Sequence, residues 1–484
     1  MLEIPFRSAR QLASLIRQKK VGCLELLDLY LARVERYNPK INAIIFLDAE
    51  GARRRAREAD RALARGHLWG PLHGVPMTIK ESFNVAGMPT TWGLPHYKNH
   101  YPQKNAVVVD RYIQSGVVLF GKTNVPMNLA DWQTFNEVYG TTNNPWDVTR
   151  VPGGSSGGSA AALAAGLAGI ETGSDIGGSI RNPAHYCGVY GHKPTYGMVT
   201  ALSQGLHDEV APADITVIGP IARSADDLLI GLNVMAGPDD IDGRGWRLRL
   251  PKPPKKTLRE YKIAAVFTDP QAEVDGEVQK RLCAVVDFLR KSKAKVKDDA
   301  RPAIDSHEVF RNYIYLLRAE TVKRLPPEIY REHLAAVKTL DPNDDSYPAE
   351  TIRGHTLYHK DWLTFNEARH KMRRAWEEFF REYDLLLCPA AATAAFPHNQ
   401  KGERWERMVM VNGKPQPSTT QMFWAGYPCN FYLPSTIAPA GLTRDGLPVG
   451  IQIVGPQYGD YTCIHFARLL EREFLGFMPP PGFD

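Results

Sequence analysis

The chain has 484 residues, of which 43% are hydrophobic, and this is enough to bury a large core. Its net charge of +6 is spread along the chain, and the one dense basic stretch, residues 53–65, has the pattern of a solvated helix face, so nucleic acid is not an expected partner. No apolar run reaches membrane length and the start lacks a secretory signal, so we expect a cytoplasmic protein without membrane contact. The six scattered cysteines have no metal-ligand spacing, so we expect buried free thiols and neither metal nor cofactor.

The first elements are predicted helices over residues 8–65. Ser8 and Gln11 have the spacing of a capping box, and the second helix is expected to stop at Asn38-Pro39. A short strand is predicted over residues 41–46. Residues 71–82 are a second strand candidate, with Lys80 near its end. Residues 107–121 predict a helix followed by a buried strand.

Two glycine- and serine-rich stretches follow, residues 151–160 and 173–181. Between them an apolar run, residues 160–170, predicts a short buried helix. A flexible linker would not enclose such an apolar helix. The order of loop, helix and loop therefore indicates two sets of hydroxyl and N–H groups held beside one rigid element.

The rest of the chain alternates strands and helices, which predicts an α/β fold with a twisted mixed β-sheet flanked by helices on both faces. Residues 237–256 have the composition of a surface connection, and residues 305–382 of charged helices. We expect one domain with four parts. These are a helical N-terminal segment (1–66), a core with the glycine-serine loops (67–236), a variable helical cap (237–400) and C-terminal strands with a final helix (401–484).

Three schemes compete for the glycine-serine region. A phosphate-binding loop would need a Lys-Ser/Thr pair that is absent here. The string GGSSG (153–157) formally matches a nucleophile elbow at Ser155, but turn residues rather than a strand precede it. Ser179 is the third candidate, because the N–H groups of residues 176–179 can curl around an oxyanion. Lys80 can act as its base if burial lowers its pKa, with Ser155 completing a proton path.

These residues carry a resemblance to the amidase signature family, whose members hydrolyse amides through a Ser-cisSer-Lys triad. The most specific stretches are GGSSGGSA (153–160), GSDIGGSIRNPA (173–184), HGVPMTIK (73–80) and GKTNVP (121–126). Looser similarity covers nearly the whole chain. The resemblance implies the single α/β domain of that family.

The resemblance also implies roles for individual residues. Ser179 becomes the acyl-accepting nucleophile, Lys80 the base, and Ser155 the bridging serine after a cis peptide bond. The implied oxyanion hole comprises Ile176, Gly177, Gly178 and Ser179. Supporting residues around the loops are Ser156, Asp175 and Arg181.

Apolar side chains near these motifs are candidates for the substrate pocket. Those beside the first glycine-serine loop are Met127, Trp132, Phe135 and Tyr139. By resemblance, Trp424 and Phe431 lie where family members shape the substrate entrance. Core packing is an equally good interpretation of the first group. The nearby His73, His185 and His192 are expected to be packed or hydrogen-bonding residues rather than triad members.

The predicted function is therefore hydrolysis of a small-molecule carboxylic acid amide, with esters and carbamates as further acyl donors. One alternative within the family is the A subunit of a glutamyl-tRNA(Gln) amidotransferase, which would deliver ammonia to a partner. The segment after Lys193 favours a stand-alone amidase. A non-catalytic binding protein on the same scaffold is the alternative from another class. Whether the chain forms a homodimer is left open.

Overall fold

Two sheets carry the elements that build the site. A computed structural model describes residues 3–206 and 209–484. The strands are β1 (Ile44–Leu47), β2 (Pro76–Lys80), β3 (Val118–Thr123), β4 (Phe135–Asn136), β5 (Gly140–Thr141), β6 (Glu171–Asp175), β7 (Tyr190–Lys193), β8 (Val217–Ala222), β9 (Lys262–Ala265), β10 (Lys295–Asp298), β11 (Leu385–Pro389), β12 (Met408–Val411), β13 (Lys414–Pro417), β14 (Ser435–Leu442) and β15 (Pro448–Val454).

Helices pack around these strands. They are α1 (Ala9–Arg17), α2 (Cys23–Ile41), α3 (Ala49–Ala64), α4 (Val107–Gln114), α5 (Gly157–Ala164), α6 (Arg181–Cys187), α7 (Ala225–Met235), α8 (Gly276–Lys291), α9 (Ser306–Thr321), α10 (Pro327–Ala336), α11 (Tyr347–His355), α12 (His359–Glu382), α13 (Met422–Cys429) and α14 (Asp460–Glu473). The Ser8–Gln11 capping box at the start of α1 is present as predicted.

The larger sheet has eight strands in the order β10-β9-β11-β15-β14-β7-β8-β6, and the smaller has three in the order β1-β3-β2. In the larger sheet β9 pairs in parallel with β10 and β11, whereas the β11–β15 and β14–β15 pairs are antiparallel. The expected α/β fold, a single domain with a mixed sheet flanked by helices, is confirmed. The segment 237–400 is more than a cap, because it supplies β9, β10 and β11 to this sheet.

The buried helix between the glycine-serine loops, α5, joins the two sheets. It contacts β2 and β3 of the small sheet and β6 and β8 of the large one, and all its residues are buried. The helix is shorter than the predicted run of residues 160–170. It ends because Gly166, with φ +67°, adopts the left-handed conformation that closes a helix.

The predicted end of the second helix is wrong. Helix α2 continues through Pro39 to Ile41 and closes at Asn42, which has a left-handed backbone. Pro39 lies in the last turn, where its fixed φ is compatible with a helix and only one backbone hydrogen bond is lost. The Asn38 side chain then accepts hydrogen bonds from the N–H groups of Ala43 and Ile44, which leads the chain into β1.

All six cysteines are free thiols, as expected. Five are buried, but Cys283 on α8 is exposed, which the sequence-based expectation of burial missed. In residues 3–206 and 209–484, no helix is both long and apolar enough to cross a bilayer.

Candidate active site

Lys80 lies at the end of β2 with its side chain fully buried. Its Nζ donates hydrogen bonds to Ser155 Oγ at 2.7 Å and to Ser174 Oγ at 2.9 Å. Burial lowers the pKa of Lys80 to about 7, since a charged ammonium loses its hydration there. The Asp175 carboxylate opposes this pKa shift, and the Arg324 guanidinium adds to it. A large fraction of Lys80 is therefore uncharged at pH 7.

Ser155 follows a cis peptide bond from Gly154, as the family resemblance implied. Irregular chain, not a strand, precedes it at residues 151–154, so the nucleophile-elbow arrangement is absent here. Gly154 is needed at this point because a Cβ would lie 2.3 Å from the carbonyl oxygen of Asp131.

The side chain of Asn182 holds the two glycine-serine loops together. Its Oδ1 accepts from the N–H of Gly154 at 3.0 Å, and its Nδ2 donates to the carbonyls of Gly154 and Gly178 at 2.6 and 2.9 Å. A second link joins the N–H of Ser156 to the carbonyl of Ser179 at 3.1 Å. The two loops therefore keep a fixed relative position.

Ser179 lies between β6 and α6 and is 7% exposed. It borders the same cleft as Ser155 and Ser174. Within the described residues no hydrogen bond joins the Ser155 and Ser179 hydroxyls, so the chain of hydrogen bonds runs from Lys80 to Ser155 and ends there. The cavity also includes Trp92, Leu129, Ile176, Ala201, Gln204, Gly205, Glu209, Ala211, Ala213, Thr216 and Arg324.

In the loop predicted to form the oxyanion hole, one of the four expected N–H donors is occupied. The N–H of Gly178 donates to Asp175 Oδ1 at 2.8 Å, so Gly178 is not available to a substrate oxygen. Across the described parts of the chain, the N–H groups of Ile176, Gly177 and Ser179 have no acceptor. Three of the four expected donors therefore remain, because a carboxylate is a strong acceptor for the fourth.

Two side chains hold the carbonyl groups of this loop. Tyr313 donates its hydroxyl to the carbonyl of Ile176 at 3.0 Å, and Trp132 Nε1 donates to the carbonyl of Gly177 at 2.8 Å. In a trans peptide the N–H points opposite to the C=O. Tyr313 thereby fixes the direction of the Gly177 N–H, and Trp132 that of the Gly178 N–H.

Asp175 and Arg181 form a buried, two-pronged ion pair beneath the loop. Arg181 Nη2 lies 2.8 Å from Asp175 Oδ1, and Arg181 Nε lies 3.0 Å from Oδ2. Burial alone would raise the pKa of the Asp175 carboxyl, but Arg181 more than offsets this and holds that pKa well below its usual range. Arg181 also donates to the carbonyl of Ala425 and to Gln452 Oε1. The pair thus anchors the loop to α13 and β15.

Among the described residues that line the Ser179 cavity are none of the apolar residues expected to form a substrate pocket. Met127 is 50% exposed at the surface, and Trp132 supports Gly177 from the side of a neighbouring cleft. Trp424 is fully buried and donates its indole N–H to the carbonyl of Ala272, and Phe431 is equally buried. Neither Trp424, on α13, nor Phe431, just after it, is among the described residues that line the Ser179 cavity. None of the described residues that line the Ser179 cavity is Phe135 or Tyr139.

The three histidines near the motifs have structural partners. His73 contacts the carbonyl of Ala59, His185 the carbonyls of Thr393 and Gly450, and His192 the side chains of Thr436 and Asp460. This agrees with the expectation that they are not triad members.

Sequence reasoning missed four residues of the site: Ser174, Asn182, Trp92 and Arg324. Ser174 and Asn182 lie inside the glycine-serine motif, where their polar side chains are a usable signal. Trp92 and Arg324 lie far from any motif, and only the fold brings them to the cavity.

Comparison with known proteins agrees with this geometry. Residues 25–464 match the amidase family, and the chain belongs to that family of amide-hydrolysing enzymes. The chain is 32% identical to the A subunit of the glutamyl-tRNA(Gln) amidotransferase of Anaeromyxobacter dehalogenans, over 98% of this chain and 97% of the relative. It is 29% identical to an indoleacetamide hydrolase of Bradyrhizobium diazoefficiens, over 96% of this chain and 86% of that protein. The crystal structure of a bacterial aryl acylamidase shares the fold, with a TM-score of 0.81 at 23% identity. The match covers 97% of this chain and 96% of the acylamidase chain.

Proposed function

We propose that the protein hydrolyses a carboxylic acid amide to the acid and an amine or ammonia, through an acyl-enzyme on Ser179. The observation that carries this proposal is the 2.7 Å hydrogen bond from buried Lys80 to Ser155, beside the cavity that Ser179 borders. A lysine with a pKa of about 7 can accept a proton at neutral pH. Metal and cofactor have no part in the proposed reaction, and the expected compartment is the cytoplasm.

In the first step Ser179 Oγ attacks the amide carbonyl carbon. Its proton passes to Ser155 Oγ, whose own proton passes to the neutral Lys80 Nζ. This transfer requires the Ser179 hydroxyl to donate to Ser155 Oγ, and both residues border the same cavity. The free N–H groups of Ile176, Gly177 and Ser179 then stabilise the charge that develops on the carbonyl oxygen.

In the second step the C–N bond breaks. The proton on Lys80 returns through Ser155 to the amine nitrogen, because an unprotonated amide anion is too basic to leave. Water then attacks the acyl-enzyme and loses its proton along the same path, which releases the acid and restores Ser179. Esters and carbamates fit the same sequence, with an alcohol or carbamate nitrogen as leaving group.

Covalent labelling tests the nucleophile. A fluorophosphonate probe should add one label to the wild-type protein at Ser179, as located by peptide mass spectrometry, and none to Ser179→Ala. Ser14→Ala, a serine on α1 outside the site, is the matched control and should label normally. A panel of aliphatic, aryl and amino-acid amides should then identify substrates. Label at another serine, or hydrolysis that survives in Ser179→Ala, would reject the proposal.

A second candidate function is that of an amidotransferase A subunit, which the relative at 32% identity favours. That function requires release of ammonia from glutamine and a partner chain. Glutaminase activity together with copurification of a second chain from the native host would support it. Neither property is expected of a stand-alone amidase. A non-catalytic binding protein, the remaining alternative, would not react with the fluorophosphonate.

A further inference from the structure

We propose that the substrate carries a carboxylate in addition to its amide group, and that Arg324 binds this carboxylate in the wall of the Ser179 cavity. The inference rests on the proposed function, because it assigns a substrate class to the same cavity. It makes Arg324 a specificity-determining residue.

Arg324 is brought to the cavity by a short 3-10 turn, Val322–Arg324, between α9 and α10. Its guanidinium carbon lies 4.8 Å from the centroid of the Trp92 ring, which is within cation–π distance. Trp92 is itself fixed, since its backbone N–H donates to Glu81 Oε2 at 3.0 Å and its indole N–H to the carbonyl of Ser82 at 3.3 Å. The cation therefore stands on a rigid aromatic platform.

Among the described residues the guanidinium of Arg324 has no hydrogen-bond acceptor. In residues 3–206 and 209–484, Arg324 forms neither a hydrogen bond nor an ion pair, although a guanidinium offers five N–H donors. The buried arginines of the core differ: Arg33 and Arg223 both donate to backbone carbonyls, and Arg181 to Asp175. The donors of Arg324 thus remain available to a ligand in the cavity.

The charge of the cavity wall fits a single negative group. The only charged side chains among its described lining residues are Glu209 and Arg324. Glu209 is compensated by Lys323, whose Nζ lies 3.2 Å from Glu209 Oε2. Nearby Glu320 accepts the backbone N–H of Asp214 at 3.0 Å. Among the described lining residues Arg324 is the one cation; the Glu209 and Glu320 carboxylates attract it, but neither accepts a hydrogen bond from it. One guanidinium matches a monoanion better than a phosphate dianion.

A second polar group of the wall also lacks a partner. Thr216 lines the cavity, and its hydroxyl is buried without a hydrogen-bond partner among the described residues. Buried polar groups usually have a partner, so a ligand oxygen would satisfy this hydroxyl. A planar carboxylate suits the forked donors of Arg324, and it can accept a further hydrogen bond from Thr216.

Matched substrates test the inference by turnover. In the first series the carboxylate is on the acyl half of the substrate, in ω-carboxyacyl 4-nitroanilides with two to four methylenes. In the second it is on the amine half, in N-acetyl-4-aminobenzoate. Each acid is compared with its methyl ester. In at least one series the wild-type kcat/KM for the acid should exceed that for the ester by tenfold or more. In Arg324→Met this acid-to-ester ratio should fall about 10- to 100-fold, the range for loss of a charge-assisted hydrogen bond.

Arg331→Met is the matched control, since Arg331 is an exposed arginine on α10 that does not border the cavity, and it should keep the wild-type ratio. Arg324→Lys keeps the charge without the fork and should give an intermediate ratio. It also provides a second variant if Arg324→Met does not fold. Equal kcat/KM for acid and ester in both series, or an unchanged ratio in Arg324→Met, would overturn the proposal.

Binding without turnover separates this inference from the proposed function. Calorimetry on Ser179→Ala should show the acid binding at least tenfold more tightly than its ester, and the combination with Arg324→Met should lose this preference. Such a preference in a protein that hydrolyses no amide would reject the reaction but keep the carboxylate site. Equal binding of acid and ester, or tighter binding of a phosphonate analogue than of the acid, would reject the carboxylate site itself.

Discussion

Ser174 Oγ lies 2.9 Å from Lys80 Nζ, on β6, the strand that leads into the loop carrying Ser179. Lys80 therefore has two hydroxyl partners on two different segments, and Ser155 is only one of them. Two such contacts restrict the nitrogen to one position. In the proposed mechanism neutral Lys80 donates to Ser174 Oγ, while its lone pair accepts the hydrogen bond from the Ser155 hydroxyl.

Replacing this second partner should weaken catalysis without preventing folding. In Ser174→Ala we expect kcat/KM for an amide to fall about tenfold, as one hydrogen bond to the base is lost. Ser115→Ala is a matched control, because Ser115 is also a buried serine whose hydroxyl donates one hydrogen bond, to the carbonyl of Tyr112, and it lies at the end of α4. Steady-state kinetics on both variants make the comparison. Equal activity of the two would show that Ser174 does not position the base.

The activity should rise with pH around neutrality. Because Lys80 acts as a base only when neutral, and its pKa lies near 7, kcat/KM should increase about tenfold per pH unit below pH 6 and level off above pH 8. In Arg324→Met the profile should move to higher pH, since the Arg324 cation lowers the pKa of Lys80. A flat profile from pH 5 to 9, with chemistry shown to be rate-limiting, contradicts Lys80 as the base.

Lys80 should also destabilise the folded state. Burial depresses its pKa from 10.5 to about 7, which corresponds to a penalty on the order of 4–5 kcal/mol at low pH. This penalty is fully present below pH 7, and it disappears as the pH rises towards 10.5. Lys80→Met should therefore abolish amide turnover, yet raise the free energy of unfolding by about 1–3 kcal/mol at pH 6, after the lost hydrogen bonds are included.

Urea unfolding of Lys80→Met at pH 6 and pH 9 checks this sign. The gain over wild type should be larger at pH 6 than at pH 9. A variant less stable than wild type at both values would mean that Lys80 contributes more through its hydrogen bonds than it costs through desolvation.

The Tyr313 hydroxyl should contribute to the rate through the oxyanion loop. Tyr313→Phe removes the bond that fixes the Ile176–Gly177 peptide, so kcat should fall about tenfold while KM changes little. Tyr30→Phe removes a buried tyrosine hydroxyl that donates to the carbonyl of Pro5, also at 3.0 Å, far from the site. That control should keep its kcat. A rise in KM alone in Tyr313→Phe would place the residue in substrate binding instead.

The sequence predicted the fold class and brought attention to Lys80, Ser155 and Ser179 because their motifs are short and local. Small residues and hydroxyls in two loops are visible without coordinates. Which side chain accepts a given backbone N–H cannot be recognised from the sequence in the same way. The capture of the Gly178 N–H by Asp175 depends on how the loop turns after β6, and no spacing rule gives that.

Pocket residues were the weakest predictions, for a related reason. Trp424 and Phe431 are apolar and near a motif, but apolarity equally suits the core, where both are found. Arg324 is the opposite case, since a lone arginine in a charged helical segment looks like surface. It reaches the cavity only because the turn between α9 and α10 packs against Trp92.

The proposed base and the proposed nucleophile lie on different sheets: Lys80 ends β2 of the three-stranded sheet, and Ser179 follows β6 of the eight-stranded one. The surroundings of Lys80 depend on both sheets, because its Nζ contacts Ser174 of β6. Recovery of hydrolytic activity during refolding will therefore report the docking of one sheet onto the other, later than signals that follow secondary structure alone.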